Sequence, residues 1–199
     1  MTWTLTSKSK KSKKADNKTD SSSNFESDGN TIYFYSGVDD DSVFSLNKEI
    51  EKKDRALQVL GIEHGIEPPP INLKIHSYGG SVFSSFAAIN YIKSATCDVH
   101  TYVDGAAASA GTLMSVVGTE RYMNEHAYML IHQLSSVSWG NYEQLKDDME
   151  NNKNLMKRIK SIYSDHTTIP KKELDSILKH DLWWDAKTCL EYGLIDEIR

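Results

Sequence analysis

Three short segments combine the side chains and the backbone freedom that nucleophilic catalysis requires. Paired glycines, Gly79 and Gly80, follow a run of alternating apolar residues. Ser109 stands among alanines in the segment 105–111 (GAAASAG), and His132 ends a short apolar run. In acyl transfer a hydroxyl attacks a carbonyl, an imidazole takes the hydroxyl proton, and backbone amides stabilise the oxyanion that forms. The three segments could supply these parts.

Each segment taken alone also has an ordinary structural explanation. A Gly-Gly pair is common in the tight turn between a strand and a helix. A serine at the start of a helix is most often an N-cap, which is the favoured interpretation of Ser109 when no other residue is considered. His132 could be a partly buried histidine whose only role is a structural hydrogen bond. Chemistry is indicated only if the fold brings the three together.

A histidine base also needs a carboxylate that holds its ring in the right tautomer. The sequence offers several aspartates in the C-terminal part of the chain, and residue type alone does not choose among them. The candidates are Asp165, Asp175, Asp181, Asp185 and Asp196.

The segments that must position these residues alternate between strand and helix patterns. β-Branched, aromatic and alternating apolar residues predict strands at 31–36, Ile71–Ser77, 98–103 and 127–131. Apolar residues at helical spacing predict helices at 81–92, 108–117 and 142–164. Two successive βα units predict an α/β domain with parallel strands.

The ends of the predicted domain follow from composition. Residues 1–29 hold seven serines and few sizeable apolar side chains, so they predict a flexible tail and a folded domain over residues 30–199.

Acids at 39–41 predict the cap of a helix that continues through Ile50. Glycines and three prolines predict a loop at 61–70.

The long helix carries an apolar stripe at alternating steps of three and four residues. Its positions are Tyr142, Leu145, Met149, Asn152, Met156, Ile159 and Tyr163. Such a stripe is typical of a helix that packs against its own domain and equally of one that contacts another subunit. Both interpretations stay open from the sequence.

Composition excludes several classes of protein. The chain has 199 residues and a net charge of −5, and residues 1–30 carry six lysines against four acids, so the remaining residues carry −7. An acidic body disfavours nucleic acid as the main partner. No apolar run approaches the length that crosses a bilayer. Two cysteines, Cys97 and Cys189, are too few for a disulfide framework, and we expect a cytoplasmic protein without membrane attachment.

Four motifs, in the same order along the chain, resemble those of the ClpP family of serine peptidases, which belongs to the crotonase-like superfamily. The segments 77–80 (SYGG), 105–111 (GAAASAG) and 129–133 (MLIHQ) are similar to the family's S-P-G-G, G-x-A-A-S-x-G and M-I-H-Q motifs. Residues 179–196 are similar to its C-terminal block. The resemblance extends from about residue 31 to residue 199.

The resemblance implies a fold and a set of roles. The fold is α/β, a crotonase-like spiral of ββα units from which a handle helix protrudes. Ser109 corresponds to the nucleophile, His132 to the base and Asp181 to the third member of the triad. The amides of Gly80 and Ala110 are expected to form the oxyanion hole, and neither a metal nor an organic cofactor is expected.

Two departures from the family pattern bear on the site. Tyr78 stands where the family usually has the proline of S-P-G-G, and Leu134 stands where a proline follows M-I-H-Q. The Gly80 amide is kept despite the first change. The second change predicts a different local loop geometry after His132.

The implied function is endopeptidase cleavage of unfolded polypeptides inside a homo-oligomer of two stacked rings, fed by an AAA+ unfoldase. The chain itself has no Gly-x-x-x-x-Gly-Lys-[Ser/Thr] nucleotide loop. The alternatives are a viral head-maturation protease that works without an ATPase, a structural ring subunit with unused catalytic residues, and a crotonase-type acyl-CoA enzyme.

Overall fold

A computed structural model describes residues 25–199. Within them, eight strands form one sheet: β1 Phe25–Asp28, β2 Thr31–Phe34, β3 Ile71–Ser77, β4 Val99–Ala108, β5 Arg121–Met123, β6 Tyr128–Leu130, β7 Trp183–Asp185 and β8 Glu197–Ile198. The helices of this part of the chain are α1 Asp40–His64, α2 Val82–Ser94, α3 Ala110–Ser115, α4 Tyr142–His166, α5 Lys171–Ile177 and α6 Ala186–Glu191.

The sheet is mainly parallel, as the alternating pattern predicted. Its strand order is β1-β2-β3-β4-β5-β8, and β6 joins β4 to β7. Only the β1–β2 and β6–β7 pairs of this sheet are antiparallel. Parallel strands need crossover connections, and α1 and α2 provide them between β2 and β3 and between β3 and β4. The α/β prediction is confirmed.

Strand β4 divides the sheet and thereby assembles one edge of it. The first half of β4 pairs with β5, whereas Ala106–Ala108 at its end pair with Tyr128–Leu130 of β6. On its other side Ala107 lies opposite Ser77, the last residue of β3. The carboxyl ends of β3, β4 and β6 therefore meet at one edge, which is where parallel sheets place their ligands.

Helix α1 is longer than the sequence predicted. Asp39 caps it by accepting a hydrogen bond from the amide of Ser42. The loop predicted at 61–70 is wrong in its first part, because the helix continues to His64 and ends at Gly65 in the left-handed conformation. Gly61 lies inside the helix, where a Cβ would come 3.0 Å from Pro68 Cγ. The glycine permits close packing of the proline segment and does not break the helix.

The folded part begins earlier than residue 30. Phe25–Asp28 form strand β1, which pairs with β2 through a turn at Gly29. Lys53 of α1 donates a hydrogen bond to the carbonyl of Gly29 at 2.6 Å and so holds this hairpin to the helix. The predicted boundary between tail and domain at residue 29 is therefore corrected, because residues 25–28 belong to the sheet. Residues 1–24 of the predicted tail lie outside the described residues.

The core lies between one face of the sheet and the helices. Ile32, Phe34, Leu73, Ile75 and Val103 alternate along the strands and are fully buried. Both cysteines are buried and free. Of the helices in residues 25–199, none has both the length and the continuous apolar character that crossing a membrane demands.

Arg121 joins the C-terminal segment to the sheet. Its guanidinium donates to the carbonyl oxygens of His166 and Gly193 and to the carboxylate of Asp196. The Arg121 side chain is only 15% exposed. Burial raises the pKa of Asp196, but hydrogen bonds and the charge of Arg121 outweigh it and hold that pKa below its ordinary value. This contact fixes the end of α4 beside β5.

We expect Arg121→Ala to lower the free energy of unfolding by about 2–4 kcal/mol, because two carbonyls and a carboxylate lose a charged donor. Urea denaturation measures it. Arg55→Ala, which removes an exposed arginine paired with Glu51 on α1, is the control and should cost less than about 1 kcal/mol. Since the folded-state pKa of Asp196 is lowered, the contribution is present above about pH 4 and is lost as pH falls further. Equal effects of the two substitutions would contradict this role for Arg121.

Candidate active site

Ser109 lies at the junction between β4 and α3 in an unusual backbone conformation. Its φ is 55° and its ψ is −122°, and it is the one non-glycine residue among residues 25–199 with a positive φ. Its amide donates to the carbonyl of Leu130 at 2.9 Å. Ser109 occupies the N-cap position of α3, as the structural interpretation predicted, but its side chain accepts no hydrogen bond from the helix amides, so capping does not account for the serine. A strained serine between a strand and a helix is typical of a nucleophile whose hydroxyl is held exposed.

The paired glycines pack directly against this serine. A Cβ on Gly79 would lie 2.7 Å from Ser109 Cβ, and one on Gly80 would lie 2.2 Å from the carbonyl oxygen of Val38. Their φ angles are 92° and 149°, which side-chain-bearing residues rarely adopt. Val38 also accepts a hydrogen bond from Ser81 at 2.7 Å, which fixes the turn. The turn therefore brings backbone as close to Ser109 as glycine allows.

Two backbone amides beside Ser109 are available to a ligand. Among the described residues, neither the amide of Gly80 nor that of Ala110 donates a hydrogen bond to a protein acceptor. Both residues line the cavity that Ser109 lines. Ala110 is also the first residue of α3, which orients its amide outward from the helix start. The oxyanion role of Gly80 and Ala110 stays a prediction, with a geometry suited to it.

The cavity at this edge of the sheet has a volume of about 100 Å³. Its wall includes residues from the three strand ends and from the long helix: Gly80, Ser109, Ala110, His132, Ile159 and Tyr163. Ser109 and His132 thus share one cavity although 22 residues separate them in the sequence. In the part of the chain from residue 25 onward, no three His, Cys, Asp or Glu side chains form a cluster suited to a metal ion.

His132 follows β6 and lies near one carboxylate. Its Nδ1 atom lies 3.5 Å from Oδ1 of Asp181. The His132 side chain is 20% exposed and that of Asp181 is 78% exposed. The distance is longer than an ordinary hydrogen bond, so the pair is close but not tightly joined. Loose contacts of this kind are common in catalytic groups without substrate.

The structure separates Asp181 from the other aspartates that the sequence left open. Each of the others contacts a different group: Asp165 accepts from Ser161, Asp175 pairs with Lys160, Asp185 caps α6 by accepting from Thr188, and Asp196 pairs with Arg121. The bonds from Thr188 lower the pKa of Asp185. Asp181 alone among the five lies within ion-pair distance of His132.

The loop after His132 is held by α4. The amide of Leu134 donates to the Sδ atom of Met156 at 3.1 Å, and the side-chain amide of Asn152 donates to the hydroxyl of Ser136 at 2.8 Å. A proline in place of Leu134 would have no amide hydrogen to donate. The sequence comparison with the family motif identified this position as different, and the structure shows the contact that the leucine makes.

Sequence reasoning missed the contribution of α4 to the cavity wall. Ile159 and Tyr163 were placed in the apolar stripe but not assigned to the site. Thr112, buried in α3 behind Ser109, was not considered either. The spacing of the stripe was the available signal, but spacing alone does not tell which part of a stripe faces a cavity.

Comparison with known proteins shows which family the chain is similar to. A sequence model of the Clp protease family, described as "Clp protease", matches residues 27–199. The chain is 37% identical over 150 residues to an ATP-dependent Clp protease proteolytic subunit of Streptococcus mutans, with 71% of this chain and 74% of that protein covered. It is 33% identical over 146 residues to the corresponding subunit of Bdellovibrio bacteriovorus, with 71% and 69% covered.

The chain belongs to the Clp protease family. The predicted resemblance is therefore confirmed, and so is the α/β fold of this family. Membership sets aside the acyl-CoA enzyme alternative and makes the chain a peptidase subunit.

We expect Asp181→Asn to leave the fold intact, because the Asp181 side chain is 78% exposed. The same substitution should lower peptide turnover by as much as about 10⁴-fold, because the correct tautomer of His132 is lost. Steady-state hydrolysis of a fluorogenic peptide measures it. Asp185→Asn is the matched control, since asparagine is also a good helix cap and the α6 cap is kept. A mild effect at Asp181 with a severe one at Asp185 would overturn the assignment of the carboxylate.

Proposed function

We propose that the protein is a serine endopeptidase with Ser109 as nucleophile, His132 as base and Asp181 as the orienting carboxylate. The observation that carries the proposal is the conformation of Ser109, held at φ 55° in a cavity that it shares with His132 and two free amides. Strain at a single serine beside a histidine has no evident purpose in stability. It has one in catalysis, because it exposes the hydroxyl.

The proposed reaction follows from these positions. The Ser109 hydroxyl attacks the peptide carbonyl while His132 accepts its proton, and a tetrahedral intermediate forms. His132 then donates that proton to the leaving amine, and an acyl-enzyme remains on Ser109. Water, deprotonated by the same imidazole, hydrolyses the acyl-enzyme. The Asp181 carboxylate keeps the proton of His132 on Nδ1 and stabilises the imidazolium.

The charge that develops on the substrate oxygen is balanced by backbone donors. The amides of Gly80 and Ala110 both border the cavity and have no protein acceptor among residues 25–199. One donor of this kind contributes about 10²–10³ in rate. Because both are backbone groups, no substitution other than proline deletes them, and their orientation depends on the peptide planes that carry them.

Assembly into a homo-oligomer of two stacked rings is part of the proposal, with α4 as the contact between rings. The N-terminal half of its stripe is exposed: Tyr142 is 73%, Leu145 42% and Met149 59% exposed. In the preceding loop Val137 and Trp139 are almost fully exposed. Apolar side chains in such number on one protruding helix are typical of an interface. A second copy of the chain, meeting the same surface antiparallel, would cover them.

The substrates proposed are unfolded polypeptides, and the proposed partner is an AAA+ unfoldase that supplies them with energy from ATP. The relatives are named as ATP-dependent, and the sequence of this chain contains no nucleotide-binding loop of its own. A folded protein does not enter a cavity of about 100 Å³. An extended chain can lie across it with one carbonyl at Ser109.

Ser109→Ala should abolish both peptide hydrolysis and covalent labelling by a fluorophosphonate probe, with a rate loss of several orders of magnitude, on the order of 10⁶ as for other nucleophile deletions. The fold should be unchanged, because one oxygen is removed beside small residues. Ser81→Ala, which removes the N-cap of α2, is a control for loss of a nearby hydroxyl and should keep labelling. Failure of the unaltered protein to label would favour the structural ring subunit instead.

Replacing Leu145 and Met149 together with Glu should reduce the assembly to single rings or smaller species and remove most peptidase activity, since buried charges at an interface cost several kcal/mol, about 2–5 per unpaired charge. Met156 is left alone because it holds the loop of Leu134. Asn151→Glu with Asn154→Glu adds the same charge at exposed positions outside the stripe. Sedimentation and peptide hydrolysis, measured on the same samples, test whether α4 joins the two rings. A fully assembled and active Leu145/Met149 variant would mean that it does not.

A further inference from the structure

A buried chain of hydrogen bonds joins α4 to the backbone of Ser109. The hydroxyl of Tyr163 lies 2.5 Å from Oγ1 of Thr112, and Thr112 Oγ1 donates to the carbonyl oxygen of Ser109 at 2.6 Å. The Thr112 amide donates to the same carbonyl at 3.0 Å. Thr112 is fully buried and Tyr163 is 1% exposed. No water or other side chain is needed to complete the chain.

The direction of these bonds is fixed by valence. A carbonyl oxygen only accepts, so the single hydroxyl proton of Thr112 must go to Ser109. The Tyr163 hydroxyl must then be the donor to Thr112 Oγ1. Burial raises the pKa of the Tyr163 hydroxyl, which favours its protonated, donating form. The order Tyr163 to Thr112 to Ser109 is therefore the one arrangement in which all three groups are satisfied.

The Ser109 carbonyl and the Ala110 amide belong to the same peptide group. Hydrogen bonds that fix the carbonyl therefore also fix the direction of the amide. The peptide between Ser109 and Ala110 is trans, as are all those in residues 25–199. In a trans peptide the C=O and the N–H point in opposite directions. Two hydrogen bonds that hold the Ser109 carbonyl toward Thr112 therefore direct the Ala110 N–H away from it, toward the cavity. A rotation of this peptide would turn the donor out of the site.

We propose that Thr112 and Tyr163 are positioning residues that lock the Ser109–Ala110 peptide in the orientation required for oxyanion binding. The inference rests on the proposed function, in which the Ala110 amide is an oxyanion donor. It adds that the donor is set from α4, 51 residues after Thr112 in the sequence. Ser109 occupies a backbone conformation that costs free energy, so contacts must hold it there. The Tyr163–Thr112 chain is such a contact.

Thr112→Val tests this, because it keeps the shape of the side chain and removes the hydroxyl. The expected result is a fall in kcat of about 10–100-fold, part of the value of a whole oxyanion donor, with KM changed by less than about twofold. The oxyanion exists only after attack, so its loss affects kcat and not ground-state binding. A peptide aldehyde, which forms a tetrahedral adduct on Ser109, should lose affinity by the same factor as kcat. Thr112→Ser, which restores the hydroxyl, should recover most of the loss.

Two further variants separate positioning from stability. Tyr163→Phe leaves the Thr112 bond to Ser109 in place and should lower kcat less than Thr112→Val does, in the same direction and again without a KM change. Ser115→Ala removes another buried hydroxyl of α3, one without a hydrogen-bond partner in residues 25–199, and it should leave kcat unchanged. The pH profile of kcat/KM should be the same in all variants, because His132 is untouched.

The outcomes distinguish the inference from the function on which it rests. If the unaltered protein neither hydrolyses peptides nor labels with a fluorophosphonate, the proposed function fails. If the unaltered protein does both, the variants test the positioning role. That role is overturned if Thr112→Val and Tyr163→Phe lower only the free energy of unfolding, with kcat per titrated active site and aldehyde affinity unchanged. Should Thr112→Val fail to fold, Tyr163→Phe and Thr112→Ser give the same comparison through their kcat and aldehyde affinities.

Discussion

The arrangement of the site depends on holding one serine at a positive φ where β4 becomes α3. Three neighbours contact that backbone: Leu130 accepts its amide hydrogen, Thr112 donates to its carbonyl, and Gly79 approaches so closely that a Cβ could not be placed between them. A conformation of this kind costs free energy and is retained only where contacts on several sides fix it. The parallel ends of β3, β4 and β6 supply those sides, which ties the sheet topology to the chemistry.

Much of this could be predicted from the sequence, and the failures have identifiable causes. Strand Ile71–Ser77 was predicted with the bounds it has, because its alternation reflects one buried and one open face. The helix α1 was cut short at Gly61, since a glycine that allows close packing resembles one that ends a helix. Strand β4 was ended at residue 103 although it continues to Ala108, because its last residues are small and carry no alternation. Proximity of Asp181 to His132 could not be derived from spacing and came only from the family motif.

The stripe on α4 shows why periodicity alone left two interpretations open. A helix of 25 residues is about 37 Å long, and the domain covers only part of it. Its C-terminal half buries Ile159 and Tyr163 in the core, whereas Leu145 and Met149 in its N-terminal half remain exposed. The same apolar stripe thus continues from a contact within the domain to an exposed surface. Each interpretation describes one half of the helix, and the boundary depends on where the rest of the domain ends.

Helix α4 contacts the two sides of the cavity from positions that are two turns apart. Met156 accepts the amide hydrogen of Leu134 in the loop after His132, and Tyr163 donates to Thr112 behind Ser109. A helix transmits a displacement along its axis with little deformation, because its backbone hydrogen bonds and side-chain packing resist compression. A shift of α4 would therefore move the loop after His132 and the peptide after Ser109 together. Leu145 and Met149, exposed in the N-terminal half, lie on the same helix. A contact made there would act on the element that holds both the loop after His132 and the peptide after Ser109.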